Sequence, residues 1–257
     1  MAGRLNGRVA LVTGGGKGIG RAIALALARE GARVAIGGRD PAALQATREE
    51  LGGGALALPL DVTDPESVER FVAQASERLG ATWILVNNAG MSARTPIDAD
   101  ADRLWERILA TNLTGMYRCS RAALARMPDH GGGRIINLSS VLGKFGVAGY
   151  TAYCAAKHGV IGFTRALALE VAPRGITVNA LCPGWVDTAM AHRGFAAGAA
   201  TSGISVEGFQ REALARVPLG RIIEPAEVGE LAVYLASDAA AMMTGQAINL
   251  CGGATTW

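Results

Sequence analysis

The run Val9-Ala10-Leu11-Val12 offers no polar side chain to either face of a strand, so a strand built from it must be covered on both sides. Similar short aliphatic runs recur near residues 33–37, 55–60, 83–87, 133–139, 175–181 and 246–250, the first spanning about 8–13. Between them lie longer segments with helical periodicity near 18–30, 41–51, 65–79, 101–127, 151–172 and 225–236. Strands that alternate with helices are joined by crossovers, which make neighbouring strands parallel and place helices on both faces. The pattern predicts a single α/β domain over residues 1–257, a doubly wound parallel sheet of about seven strands. Hydrophobic residues at 50% against 18% charged supply the core that such a sheet requires and exclude a disordered chain.

Several element boundaries have local causes. In Asp64-Pro65-Glu66 and again at Asp40-Pro41, a capping carboxylate precedes a proline at the first helical position, where a missing N–H is harmless. Gly31 and Gly80 follow helical segments and suit left-handed termination. Residues 189–212 break the alternation and are rich in small side chains. An insertion of that length in a compact domain predicts a mobile lid containing short helices, with a tolerated surface insertion as the alternative.

The net charge of +3 is small and no run of four basic residues occurs, which argues against nucleic acid or a membrane surface as partner. No apolar stretch reaches the roughly 18 residues of a membrane span. The N-terminal residues, with Arg4 and Arg8, lead into a strand instead of a signal-peptide core. Cys119, Cys154, Cys182 and Cys251 are dispersed and, with His130, His158 and His192, show no metal-ligand spacing, so no metal site is expected. Sparse cysteines fit a reducing, cytoplasmic setting.

After the first strand comes Thr13-Gly14-Gly15-Gly16-Lys17-Gly18-Ile19-Gly20 and then a helix. Gly14, Gly18 and Gly20 allow a tight turn whose backbone N–H groups reach a pyrophosphate at the helix N-terminus, with Lys17 and Ile19 beside it. The spacing is GxxxGxG and not the commoner GxGxxG of Rossmann-like dinucleotide folds, and any βα turn can use glycine, but its place between the first strand and a helix favours a dinucleotide loop. A carboxylate at the end of the second strand would bind the ribose of NAD, but that position holds Gly38, followed by Arg39. Arg39, with Lys17 as a second cation, favours the 2′-phosphate of NADP over NAD. Asp40 is the competing ribose ligand, although its place before Pro41 suits a helix cap better. Asp61 and Val62 end the third strand, where Asp61 can meet an adenine amino group. Asn88, Ala89 and Gly90 follow the fourth strand, where a cofactor would cross the sheet edge, though Asn and Gly also simply make turns.

Tyr153 and Lys157 stand four residues apart and therefore share one helix face. A free phenol titrates near about 10, and a neighbouring ammonium is expected to lower that value, making Tyr153 a usable proton donor or acceptor. Ser140 ends the preceding strand, where its hydroxyl faces the ligand crevice and can stabilise negative charge on a carbonyl oxygen. A Tyr/Lys pair alone is more often an exposed surface pair; its combination with the glycine loop makes it a candidate site.

These motifs resemble the short-chain dehydrogenase/reductase family over essentially the whole chain. The matching pieces are TGGGKGIG (13–20), NNAG (87–90), TNLTG (111–115), Ser140, YCAAK (153–157) and PGWVDT (183–188). The resemblance implies a catalytic tetrad of Asn112, Ser140, Tyr153 and Lys157. It further implies that Tyr153 and Lys157 touch the cofactor, Lys157 through the nicotinamide ribose, and that Asn112 positions a proton-relaying water. Pro183, Gly184, Val186 and Thr188 would flank the nicotinamide. Within the family, GKFG (143–146), AAKHGVIGFTRALALE (155–170), ARVPLGR (215–221) and NLCGG (249–253) are similar to aromatic polyketide ketoreductases and 3-oxoacyl-thioester reductases. Those polyketide enzymes often carry Pro-Gly-Gly where this chain has Met91-Ser92-Ala93, and the family usually has Asp where Trp83 stands. The resemblance also implies a homotetramer assembled through the helices at 101–127 and 151–172. Trp185 and Phe145 are candidates for an apolar substrate pocket or for core packing.

The expected function is NADPH-dependent hydride transfer to a small-molecule ketone, such as a polyketide, 3-oxoacyl thioester or other apolar carbonyl, with Tyr153 as general acid. One alternative is the same chemistry run as alcohol oxidation. Another is a non-catalytic dinucleotide-sensing protein, which would need neither Tyr153 nor Ser140.

Overall fold

The computed structural model describes residues 3–98, 100–129 and 132–256. Seven strands, β1 (Val9–Thr13), β2 (Arg33–Gly38), β3 (Leu56–Pro59), β4 (Thr82–Asn87), β5 (Gly133–Leu138), β6 (Ile176–Pro183) and β7 (Ala247–Leu250), form one sheet. Its order is β3-β2-β1-β4-β5-β6-β7 and every pairing is parallel. The chain winds outward from β1 to β3, then returns to the other side of β1. The loops after β1 and β4 therefore leave in opposite directions and open a crevice at the carboxyl ends of the strands.

The strands bury both faces by strict alternation. Ala10, Val12, Val34, Ile36, Val86, Ile136 and Leu138 meet α1 (Gly18–Arg29) and α9 (Pro225–Ala236) on one side. Val9, Leu11, Leu85, Ile135 and Val178 meet α3 (Pro65–Leu79), α5 (Gly115–Leu124) and α6 (Thr151–Val171) on the other. Of the remaining helices, α2 (Pro41–Leu51) follows β2 and α4 (Asp102–Leu109) follows β4. Close approach of α1 and α9 depends on Gly229, where an added Cβ would lie 3.0 Å from the Ala22 carbonyl oxygen.

Capping follows the sequence closely. Asp40 accepts from the Ala43 N–H and Asp64 from the Glu66 N–H, each ahead of its proline. Gly31 and Gly80 adopt positive φ of 87° and 98° at helix ends, but Gly80, with ψ of −176°, is extended there and not left-handed as expected. The helix expected over 101–127 is interrupted: α4 passes into a π-helical turn, Ala110–Thr114, before α5 begins. One extra residue in that turn carries Asn112 inward, and Gly115 lets the helix press on Val62, where a Cβ would lie 2.7 Å away. Residues 189–212 fold as two helices, α7 (Ala189–Ser202) and α8 (Val206–Ala215). Phe195 is fully buried against the Trp185 ring, with centroids 4.5 Å apart, and the Phe209 ring covers Gly198.

A buried polar chain ties the sheet centre to helices on its second face. Asn87 donates to Ser120 Oγ and to Asn137 Oδ1, each at 2.9 Å, and Asn137 donates to Thr164 Oγ1 at 2.9 Å. Among the described residues, Asn87 Oδ1 is the one atom of this network buried without a hydrogen bond, so the chain depends on the three bonds it does make. Replacing Asn137→Ala strands groups on both sides and is expected to cost about 2–4 kcal/mol. Thermal unfolding of the variant should show a midpoint several degrees lower, and an unchanged midpoint would refute a structural role for the chain.

Candidate active site

The glycine loop is shaped by close contacts that only glycine permits. A Cβ on Gly20 would sit 2.2 Å from the Gly14 carbonyl oxygen and 2.4 Å from Asn88 Nδ2. Gly14 and Gly18 have φ of 66° and 50°, a region that disfavours other residues. Unlike α2, α3, α7 and α8, helix α1 starts without a side-chain cap or an acidic residue in its first turn. Its first N–H groups are thus left to an anion, and the loop fits a dinucleotide pyrophosphate. Ile19 is partly buried against the core below.

Two residues hold this loop to the one after β4. Thr13 Oγ1 accepts from the N–H groups of Asn88 at 3.0 Å and Ala89 at 2.9 Å. Asn88 Nδ2 donates back to the carbonyls of Thr13 at 3.0 Å and Gly14 at 3.2 Å. The Asn88 side chain is therefore a brace of the glycine loop. Gly90 faces Asn112, whose Oδ1 would lie 3.1 Å from an added Cβ. Thr13 itself has no role in the sequence reading; the signal for it was a hydroxyl directly before the glycine run.

At the end of β2 the two basic candidates separate. Lys17 Nζ pairs with Asp40 Oδ2 at 2.5 Å, so the second cation is already neutralised by the capping carboxylate. Arg39 is exposed and makes no hydrogen bond or ion pair among the described residues. Its charge helps hold the Asp61 carboxyl below the usual carboxylate range, behind the larger effect of the Thr63 hydroxyl bonded to it at 2.7 Å. Asp61 Oδ1 also accepts from the Thr63 N–H. The Val62 side chain is buried against α5, leaving only its main chain to face a ligand.

Ser140 follows β5 and caps a short 3₁₀ turn, Val141–Gly143, accepting from the Leu142 N–H at 3.1 Å. Tyr153 lies in the first turn of α6 and is half-buried. Lys157, one turn on, is buried, with Nζ 5.6 Å from the Tyr153 ring centroid. That ammonium donates to the Leu138 carbonyl at 2.6 Å, and Ser139 Oγ donates to the Lys157 carbonyl at 2.9 Å. Ser140, Tyr153 and Lys157 thus converge at the end of β5.

The electrostatics differ from the sequence expectation. Burial pushes the Tyr153 phenol up to about 12, opposed by a hydrogen bond from Ser140. Burial likewise pushes the Lys157 ammonium down to about 8. The expected lowering of the phenol by Lys157 is absent: the ammonium lies over the ring and is bonded to the Leu138 carbonyl, and burial sets the direction of the shift. Asn112 is fully buried, and both ends of its amide bind one residue: Oδ1 accepts from the Met91 N–H and Nδ2 donates to the Met91 carbonyl, each at 2.8 Å. Among the described residues the side chain makes no hydrogen bond to Ser140, Tyr153 or Lys157.

The remaining predicted residues close the crevice from the β6 side. Gly184 donates to Leu250 O at 2.9 Å, immediately after Pro183, and packs on Cys251. Val186 is buried and bridges to Ile223. Thr188 caps α7, and its methyl lies 3.2 Å from a Cβ built on Gly18, so this loop reaches the glycine loop. Phe145 is half-buried beside the 3₁₀ turn. Among the described residues, which exclude His130, no group of three His, Cys, Asp or Glu could hold a metal, and no helix is long and apolar enough to cross a membrane.

The family described as short chain dehydrogenase matches residues 8–197. A putative ketoacyl reductase of the monensin polyketide synthase from Streptomyces virginiae is 46% identical over 251 residues, covering 96% of each chain. A 3-oxoacyl-[acyl-carrier-protein] reductase from Vibrio harveyi is 43% identical over 250 residues, covering 97% of this chain and 98% of its own. A crystal structure of a point variant of actinorhodin polyketide ketoreductase with NADPH superposes with a TM-score of 0.93 at 42% identity, covering 100% of both chains.

Lys157 gives a signed pH test of this geometry. Its folded value of about 8 lies below the ordinary 10.5, so between those values the unfolded chain binds the extra proton and this group's contribution to stability rises with pH. Tyr153, raised from 10.0 to about 12, acts with the opposite sign only above 10. The stability difference between wild type and Lys157→Met should therefore move in favour of the wild type from pH 8 to 10. A pH-independent difference in unfolding midpoint would mean that Lys157 is not titrating in a buried site.

Proposed function

The chain belongs to the short-chain dehydrogenase/reductase family, and from that premise we propose that it reduces a ketone with NADPH, Tyr153 giving the proton to the carbonyl oxygen. It is an NAD(P)-dependent oxidoreductase acting between C=O and CH–OH groups. The observation that carries the reading is the convergence of Ser140, Tyr153 and Lys157 beside a glycine loop whose helix N-terminus is left open.

A dinucleotide held by Gly14, Gly18 and Gly20 supplies the hydride. The residues of this chain supply the rest. Ser140 orients the carbonyl oxygen and stabilises the charge that develops on it. Tyr153, a phenol and therefore protonated at neutral pH, gives its proton to that oxygen. Lys157, an ammonium at neutral pH beside the phenol ring, would hold the ribose of a bound dinucleotide and stabilise the phenolate left when Tyr153 has given up its proton. Proton resupply near Asn112 would use its main-chain carbonyl, since its amide is committed to Met91.

NADP is the favoured cofactor because Arg39 is unengaged where the 2′-phosphate would lie, whereas Lys17 and Asp40 neutralise one another. The substrate class is a 3-oxoacyl thioester or polyketide ketone, as in the names of the relatives. Trp185, stacked on Phe195, and Phe145 wall the substrate side, and α7 with α8 act as its lid. The helices over 101–127, α4 and α5, and α6, where the exposed Tyr117 meets Phe163 edge-on at 6.4 Å, are assigned to a homotetramer. Four free, buried cysteines suit a reducing cytoplasm.

Tyr153→Phe should reduce turnover of a 3-oxoacyl thioester by roughly 10²-fold or more. NADPH affinity, read by fluorescence titration, should stay nearly unchanged; retained turnover removes the proton-donor role. Arg39→Asp should shift the ratio of kcat/KM for NADPH over NADH by about tenfold or more toward NADH. An unmoved ratio would show that Arg39 does not read the 2′-phosphate.

A further inference from the structure

Helix α6 carries both Tyr153 and Lys157, yet it begins without a cap of its own. Its N-cap position holds Tyr150, whose side chain makes no capping hydrogen bond, and its first turn contains no acidic residue. The first N–H groups of a helix have no partner within it and must find one elsewhere. Ala152, in that first turn, is fully buried, so water does not serve its N–H.

The partner comes from 57 residues away: Thr95 Oγ1 accepts from the Ala152 N–H at 3.1 Å. The hydroxyls of Thr95 and Thr151 then close a circuit. Thr151 Oγ1 donates its one proton to the Thr95 carbonyl at 2.6 Å, so the 3.0 Å contact between the two hydroxyls uses the proton of Thr95. Thr95 also donates its N–H to the Gly149 carbonyl at 2.7 Å and bridges in parallel to Tyr150. It is buried, and its hydroxyl both accepts and donates, which valine of the same shape could not do.

The segment that carries Thr95 is tied at its other end to the cofactor loops. Asn88 and Ala89 donate to Thr13 Oγ1, and Met91 is clamped by the Asn112 amide. Residues 88–95 therefore run as one strap from the glycine loop to the start of α6. Tyr153 directly follows the capped residue, so the place of its phenol depends on how firmly that turn is closed. Resting on the ketone-reductase reading above, we propose that Thr95 is a positioning residue for proton transfer. It supplies the cap that α6 lacks and so holds the Tyr153 phenol where the carbonyl oxygen is to receive its proton. Misplacement of a reacting group by about 1 Å can cost roughly a hundredfold in rate.

The test compares wild type, Thr95→Val, Thr95→Ser, Thr151→Val and Tyr153→Phe on S-acetoacetyl-N-acetylcysteamine with NADPH. Thr95→Val should lower kcat by about tenfold or more, while KM for the ketone and NADPH affinity move by less than about twofold. Thr95→Ser keeps the hydroxyl and should recover most of the loss. Added to Tyr153→Phe, Thr95→Val should change the residual turnover by less than about twofold, because the group it positions is already gone. In the ligand-free protein, deuterium exchange at the N–H groups of residues 151–154 should quicken by about tenfold or more in Thr95→Val, with β1, β4 and β5 exchanging as in wild type. A full loss on top of Tyr153→Phe, faster exchange throughout the sheet, an unchanged kcat or no recovery by serine would overturn the assignment. If Thr95→Val does not fold, Thr151→Val, at an exposed position of the same circuit, decides the matter: wild-type kcat together with wild-type exchange would overturn it equally. Tyr153→Phe that keeps its turnover, or wild type inactive on the ketone, would count against the reductase reading, and the exchange measurement alone then decides the cap.

Discussion

Thr13 Oγ is the pin on which the crevice turns. Loops that diverge from adjacent parallel strands have no ladder hydrogen bonds to hold them, yet here they must stay close enough to grip one ligand between them. Thr13 accepts from two successive N–H groups of the β4 loop, and Asn88 returns its amide to the carbonyls of Thr13 and Gly14. Gly20 is then required because Asn88 and Gly14 already fill the space that its side chain would occupy. The position of α1, and with it the open N-terminus that suits a pyrophosphate, follows from that bracing.

The second constraint is burial of charge. Lys157 is almost inaccessible, and its ammonium is kept by one carbonyl, Leu138, which in turn is fixed at the end of β5. Ser139 secures the same helix turn by donating to Lys157's own carbonyl, and Gly143 is small because that oxygen lies 2.7 Å from where its Cβ would be. Burial therefore weakens both partners as ions: the ammonium titrates lower and the phenol higher. A neutral phenol beside a half-willing ammonium suits a group that gives up its proton only when a neighbouring oxygen gains charge.

Most of the fold was legible because its causes are local. Short unbroken aliphatic runs marked the strands, and Asp40-Pro41, Asp64-Pro65, Gly31 and Gly80 marked helix ends where the structure has them. The spacing of Tyr153 and Lys157 placed them together. What stayed hidden depends on contacts distant in sequence. The π-helical turn at Ala110–Thr114 reflects Val62 and Met91, neither near it in the chain. The pairing of Lys17 with Asp40 joins two loops, and spacing alone could not show that it leaves Arg39 as the free cation. The direction of the phenol's shift depends on how much water the packed site excludes, which residue types do not report.

The amino ends of the strands show how differently the same residue types behave away from the crevice. Trp83 opens β4, and the guanidiniums of Arg8 and Arg134 lie 3.7 and 4.6 Å from its ring. Both also share Asp238, at 2.6 and 3.7 Å. Arg134 is buried, and burial followed by the neighbouring Arg8 charge pulls its pKa down. A single carboxylate cannot neutralise two cations, so the electron-rich indole face supplies the remainder of the attraction. This cluster joins the segment before β1, the starts of β4 and β5, and the turn after α9. The bracing at one end of the sheet is thereby drawn from within the chain, with Arg134 Nε, among the described residues, its one buried nitrogen lacking a hydrogen bond, whereas at the other end α1's N–H groups and Arg39 are left to be satisfied from outside it.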